Sequence, residues 1–360
     1  MDKAKKHLFT ILKIAVSVGL IGYLVWDAVQ RGEGVFSDEN GFSSQRFFAV
    51  LGHAATHWYW LATALAAAFC AVMITFVRWW MLVRAIGIKL TFREALRLGF
   101  VGYLFNLAPM GLVGGDLVKA VLLARGQPGK RAEAVTSVFV DRVLGLYSLF
   151  LVATGAILLT GFIHQGNAQV RTICYGVFGV TGAATVGLLL AWLPDMTGGR
   201  SLKAIGRIPL VGGTLVRLVE AFRVYGKRPD ILFVSIAMTL VVHTLFATNI
   251  YFTATGLFDH VHTWQRHMVM APVSAAAQVL PVSIGPVEFM LDFIYRLVPL
   301  ADGSTVPAGQ GLVVVLTYRV ISLCIATGGI GYYLAGRSEF AEVIHELEDE
   351  TPQDGAAPAT

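Results

Sequence analysis

Apolar residues run along this chain in stretches much longer than a soluble core element needs. Six are nearly unbroken, at 8–28, 57–77, 132–163, 172–193, 230–256 and 311–335. A bilayer core of about 30 Å takes about 20 apolar residues of helix, so each stretch is long enough to span it. Two further apolar regions, 97–124 and 267–300, are broken by Pro and Gly near their middles. The pattern predicts an all-α polytopic membrane protein with six full spans and two Pro/Gly-broken re-entrant hairpins. The membrane domain covers 1–337, followed by an acidic cytoplasmic tail, 338–360, that is expected to be largely disordered.

The two interruptions match each other. "NLAPMGLVGGD" (106–116) and "QVLPVSIGPVE" (278–288) each open on an amide, Asn106 or Gln278. Each has a proline three residues on and closes on an acid, Asp116 or Glu288, with a constant offset of 172. Glycines lie between: Gly111, Gly114 and Gly115 in one, Gly285 in the other. The spans that follow carry "DRVLGL" (141–146) and "YRVISL" (318–323), so Arg142 and Arg319 correspond. An inverted-topology repeat follows, with one half at about 8–163 and the other at about 172–335.

Charge orients the repeat. Nineteen Lys and Arg fall in or beside one set of loops, among them Arg78 after the second span; four fall in the opposite set. The positive-inside rule therefore places both termini in the cytoplasm of a cell membrane. It also requires 97–124 and 267–300 to enter from opposite faces. With 56 % hydrophobic and 14 % charged residues, the composition excludes an ordinary soluble domain, which carries about 25 % charged residues. Cys70, Cys174 and Cys324 stand alone in apolar segments and read as small buried residues, with neither metal-ligand nor disulfide spacing. There is no P-loop, zinc-protease motif or nucleophile elbow, so neither an enzyme activity nor a cofactor or metal is expected, and nucleic acid is not an expected partner.

Broken helices at membrane depth need protein or a water-filled cavity to satisfy their polar groups, and inverted repeats use them to build midplane binding sites. The half-helix after Gly114-Gly115 would aim its free N–H groups and positive dipole end into such a cavity. Asp116 reads as an N-cap, as a site residue, or as both. Glu288, inside an apolar run, reads as functional. Arg142 is expected to pair with Asp116, Glu288 or an anionic ligand, because its neighbour Asp141 cannot face it on a helix. Lys119 pairs with Asp116 at i, i+3 or meets a headgroup at the interface. His243, Asn249 and Arg296 read as bundle residues or anchors. Trp79 and Trp80, with Trp58, Tyr59 and Trp60, read as aromatic belts. The basic helix in 195–229 lies on the anionic leaflet or packs beneath the bundle.

The stretches "FNLAPMGLVGGDLVKAVLLAR", "SVFVDRVLGL" and "LPVSIGPVEF" together resemble the flippase-like membrane family. This is the transmembrane region of lysylphosphatidylglycerol synthases and its stand-alone relatives, and the resemblance covers roughly 8–335. The family pattern has Arg at the position of Lys119 and a Gly-rich turn at that of Pro286, differences that bear on headgroup preference. The resemblance implies translocation of an aminoacylated or glycosylated phospholipid, or a lipid-linked intermediate, between leaflets. It also implies a separately encoded lipid-modifying synthase or glycosyltransferase as partner, since only the short tail follows the last span here; homo-oligomerisation is a further partner class. Candidate substrate-binding residues are Asn106, Gly111, Gly114, Gly115, Asp116, Lys119, Arg142, Gln278, Ser283, Gly285, Glu288 and Arg319. The arginines are expected to hold phosphate, and the acids to meet a cationic group or carry coupling protons. A small-solute or ion transporter and a membrane-embedded transferase are the alternatives.

Overall fold

Each long apolar stretch becomes a helix because backbone polar groups in lipid must be satisfied within the segment. The computed structural model describes residues 3–30, 34–38, 41–107, 114–127, 129–164, 168–192, 203, 206–207, 212–226, 228–280, 282 and 284–336. In chain order the helices are α1 (Lys3–Gln30), α2 (Ser44–Thr56), α3 (Trp58–Ala85), α4 (Phe92–Leu107), α5 (Gly115–Arg125) and α6 (Arg131–Thr160). They continue with α7 (Ala168–Trp192), α8 (Gly212–Val224), α9 (Pro229–Leu257), α10 (Trp264–Ala275), α11 (Pro286–Leu297) and α12 (Gln310–Ala335). A two-stranded antiparallel turn, Ser37–Asp38 with Gly41–Phe42, is the sheet among the described residues. Five helices, α3, α6, α7, α9 and α12, are long and apolar enough to cross a membrane. By the same measure the described part of α1 contributes a shorter apolar helix, Ala15–Gln30.

Local chemistry sets the helix starts. Glu94 accepts bonds from the Thr91 N–H and hydroxyl, both at 2.8 Å, and donates its own N–H to the hydroxyl, forming a capping box for α4. Pro229 opens α9, where its missing N–H costs nothing, and Asp230 follows in the first turn near the positive end of the helix.

The two broken regions are antiparallel helix pairs. At 1.5 Å per residue, the 16-residue α4, the 11-residue α5 and the 12-residue α10 and α11 run about 24, 17, 18 and 18 Å, short of a full span. Their open ends lie at opposite ends of the bundle. The α4/α5 pair opens beside the end of α3 and the start of α6, where Gln127 bonds Lys89 and Lys130 bonds Gly87. The α10/α11 pair opens beside the end of α9 and the start of α12, where Arg266 bonds Pro299 and Gln310 bonds His260.

Packing repeats the same exchange. Helix α3 lies against α9; α4 lies against α12, as α10 does against α6; α5 lies against α6, as α11 does against α12. Swapping the halves maps each of these pairings onto another. The first helices break the rule: α1 packs on α11, whereas α7 packs on α6 and α8. One face of α8 packs against the bundle, with Phe222 and the adjacent Tyr225 against Leu82 and Leu144 and the Tyr225 hydroxyl donating to the Leu82 carbonyl, while Arg217 and Arg223 stay exposed.

Three expectations are corrected here. Arg78 belongs not to a loop but to the buried face of α3, because that helix continues to Ala85 and Asp141 neutralises the guanidinium. Trp79 is fully buried rather than part of a belt. Cys70 and Cys324 are exposed on the outer surface of the bundle, and Cys174 is buried.

Candidate functional site

The first hairpin closes by backbone contact. A methyl group on Gly115 would stand 1.7 Å from the Gly102 carbonyl oxygen, so the arms α4 and α5 meet where only glycine fits. That contact sets the start of α5, with Gly114 as N-cap. Asp116 falls in the first turn and makes no cap bond. Its carboxylate instead pairs with Arg142 of α6 and bonds the Asn106 carboxamide of α4. This pair is open: the side chain of Arg142 is 55 % exposed and that of Asp116 30 %.

Lys119 lies one turn deeper and is 7 % exposed. Its ammonium stands 4.1 Å from the centre of the Trp79 ring, a cation–π seat. Beside it, Arg78 Nε donates to Asp141 at 2.9 Å and Nη1 donates to the Thr239 hydroxyl, joining α3, α6 and α9. The partner of Asp141 is therefore Arg78. Sequence reasoning missed this pair because Arg78 sits where a span of minimum length would already have ended.

The second hairpin uses its acid differently. Gly285 takes φ 114°, a conformation that favours glycine, and caps α11. Glu288, fully buried, accepts the Gly285 N–H at 2.7 Å on one oxygen and Arg319 Nε at 2.7 Å on the other. The capping role expected of Asp116 thus belongs to Glu288, and Gly-Pro-x-Glu is the signal that could have revealed it. Helix α1 seals this turn: a methyl group on Gly285 would lie 2.9 Å from Leu20 and 3.5 Å from the Ser17 backbone.

Arg142 is 11 residues from the start of α6, about 17 Å, and Arg319 is nine from the start of α12, about 14 Å. Those helices start at opposite ends of the bundle, and each arginine lies well inside its helix and not at a terminus. Helix α4 joins the pairs laterally. Asn106 bonds Asp116, and Tyr103, one turn back, lies within electrostatic range of Arg319.

The structure thus brings Asn106, Gly114, Gly115, Asp116, Lys119 and Arg142 into one cluster, and Gly285, Glu288 and Arg319 into a second beside it. Gln278 does not join them; it is exposed in the turn that ends α10. Gly111 and Ser283 lie outside the described residues, as does the acidic tail. Of the residues read as bundle anchors, His243 bonds the Gly145 carbonyl, Asn249 the Ala64 carbonyl, and Arg296 pairs with Asp27 and Asp292. Asp292 also accepts the Leu312 N–H at 3.1 Å, capping α12 from a neighbouring helix. No group of three metal-binding side chains occurs among the described residues.

A groove of about 470 Å³ opens on the outer surface between α3, α4 and α12, with Leu65, Phe69, Phe100 and Ile325 in its walls. Its lining is apolar, and Cys324 at its edge is five residues along α12 from Arg319.

Comparison with curated proteins finds no match. A family model described as "Lysylphosphatidylglycerol synthase TM region" matches residues 10–329. The chain, a multi-pass membrane protein, therefore belongs to the lysylphosphatidylglycerol synthase transmembrane-region family.

Proposed function

We propose that this protein moves a phosphate-bearing lipid between the leaflets of the membrane. The cargo class is an aminoacylated or glycosylated phospholipid or a lipid-linked intermediate. The observation that carries the reading is the convergence of two hairpins from opposite ends of the bundle on adjacent acid–arginine pairs well inside α6 and α12. Ionisable residues in that position mark substrate paths, and broken helices there line cavities in transporters. The open Asp116–Arg142 pair would receive the headgroup, while the acyl chains stay in the bilayer. The groove between α3, α4 and α12 supports a lipid over a soluble solute, because its walls on the outer surface of the bundle are apolar, as acyl chains require.

The protein acts as a carrier and not as an enzyme in this reading. A separately encoded synthase or glycosyltransferase supplies its lipid. Both termini lie in the cytoplasm of the cell membrane, as the distribution of Lys and Arg suggests. The test is reconstitution into liposomes with headgroup-labelled lipids, following accessibility of the label to an impermeant quencher and analysing lipid extracts. Label movement without new species supports the reading. Conversion to a new lipid without movement replaces it with a transferase, and movement of a soluble solute alone replaces it with a solute transporter.

A further inference from the structure

We propose that α1 is the gate of the second acid–arginine pair: it swings off the turn at Gly285, pivoting at its Asp27 end, and opens a way for lipid to Arg319. This deepens the translocation reading and rests on it.

The two parts of α1 are held differently. Near its end, Leu24 and Ala28 are fully buried. Asp27 pairs with Arg296 of α11, and the Ala28 carbonyl accepts the Ser37 hydroxyl at 2.8 Å. Val35 donates its N–H to the Ala308 carbonyl at 2.9 Å, and a methyl group on Gly309 would stand 3.1 Å from the Ala28 Cβ. These contacts tie the end of α1 to the start of α12. Towards the middle of α1 the grip loosens. Ser17, Leu20 and Ile21 are half-buried where α1 crosses the Gly285 turn, and Leu12, Ala15 and Val16 are exposed. The Tyr23 ring lies 6.5 Å from that of Phe289, the residue after Glu288. Among the described residues, no side chain from Ala15 to Leu24 makes a hydrogen bond or ion pair with another helix. In a bilayer, apolar faces gain little by meeting each other instead of acyl chains. Packing alone therefore holds this part of α1 on the turn, and moving elements are drawn from such weakly held parts.

The first half of the repeat shows the uncovered arrangement. Helix α7, the counterpart of α1, packs on α6 and α8. Tyr147 and Thr185 bond there at 3.0 Å, and Thr154 and Thr181 at 2.7 Å, so hydrogen bonds fix α7 in place. The hairpin of that half has the open pair: the Arg142 side chain is 55 % exposed, against 22 % for Arg319 and none for Glu288. Inverted-repeat transporters work by gating one part against the rest. Lifting α1 would uncover the second pair as the first already is, with Asp27–Arg296 as the pivot.

The test locks α1 in place in a variant lacking Cys70, Cys174 and Cys324, shown beforehand to behave as wild type. Tyr23→Cys with Phe289→Cys is bridged by a bifunctional thiol reagent that a reductant cleaves. Tyr147→Cys with Thr185→Cys, bridged likewise between α6 and α7, is the control. Liposomes carry headgroup-labelled aminoacylated and glycosylated phospholipids. The expected result is loss of lipid movement on bridging α1 to α11, recovery with reductant, and no loss on bridging α6 to α7. Undiminished movement with α1 bridged overturns the inference and leaves translocation standing, as does equal loss with both bridges. A second readout needs no transport: spin labels at Val16→Cys and Phe293→Cys, both exposed, report the α1–α11 separation in the same liposomes. Two separations are expected, and a single narrow one overturns the gate. Two separations without lipid movement in the unbridged protein keep α1 mobile and remove translocation. A single separation with no movement removes both.

Discussion

Tyr103 and Asn106 stand one turn apart on α4, Tyr103 within electrostatic range of Arg319 and Asn106 bonded to Asp116. A single helix thereby spans both acid–arginine pairs. Movement of the α4/α5 hairpin would be felt at both, as one lipid passing through the middle of the bundle requires. The pairs are not equivalent: the first is open, and the second lies under α1.

Glu288 holds the second hairpin together through two bonds of different kinds. Glu288→Gln removes the charge partner of Arg319 and weakens the cap of α11. Breaking a buried pair on one side costs about 3–5 kcal/mol, and replacing both partners by apolar groups costs much less. The single variant should therefore melt well below wild type, and Glu288→Leu combined with Arg319→Met should recover most of the loss. Thermal unfolding of the purified proteins in one detergent checks this; a double variant no better than the single would contradict it.

Gly115→Ala should prevent the first hairpin from closing, because the added methyl would meet the Gly102 carbonyl at 1.7 Å. Gly179→Ala in α7, with nothing within 4 Å of the new methyl, should be neutral or gain up to about 1 kcal/mol of helix stability. Yield of monodisperse protein and melting temperature distinguish them. Similar behaviour of the two variants would argue against the hairpin contact.

Arg78 and Asp141 should be coupled. A double-mutant cycle with Arg78→Met and Asp141→Asn should give an interaction energy above about 1 kcal/mol, because the residues share a buried hydrogen-bonded pair. Additive losses would show that the pair is not formed.

Stability should fall on acidification from the loop before α10. His262 is fully buried there, donating Nε2–H to the Tyr295 carbonyl at 3.1 Å, with Arg266 and His267 as charged or titratable neighbours. Burial lowers its pKa from 6.5 to about 4, so the unfolded chain takes up the proton first. The contribution is complete above about pH 6.5 and is lost as the pH falls toward 4, amounting to about 2 kcal/mol between pH 7.5 and 5. Comparing melting curves of wild type and His262→Gln over that range checks it. Parallel pH profiles would assign the loss to other groups.

Much of this architecture was legible because lipid simplifies the code. Length and hydropathy mark the spans, and a proline and glycines inside an apolar run mark a hairpin wherever water is absent. The offset between Asp116 and Glu288 exposed the pairing of the halves. Side-chain partners were less legible, since they depend on where a helix stops and how it is rotated. Arg78 looked like a flanking charge until α3 continued past it, and Trp79 looked like a belt residue until Lys119 covered it. The cap at Glu288 was hidden because Gly285 has no side chain to announce a capping box.

The most direct test follows transbilayer movement of headgroup-labelled aminoacylated and glycosylated phospholipids in liposomes containing wild type, Arg142→Ala or Arg228→Ala, each verified as folded. Arg228 forms its ion pair with Asp230 at the exposed start of α9 and serves as the control. Movement should be rapid with wild type and Arg228→Ala and should fall at least about tenfold with Arg142→Ala, the size expected when a charge-assisted phosphate contact is removed. Undiminished movement by a folded Arg142→Ala protein would contradict the proposed role of the open pair.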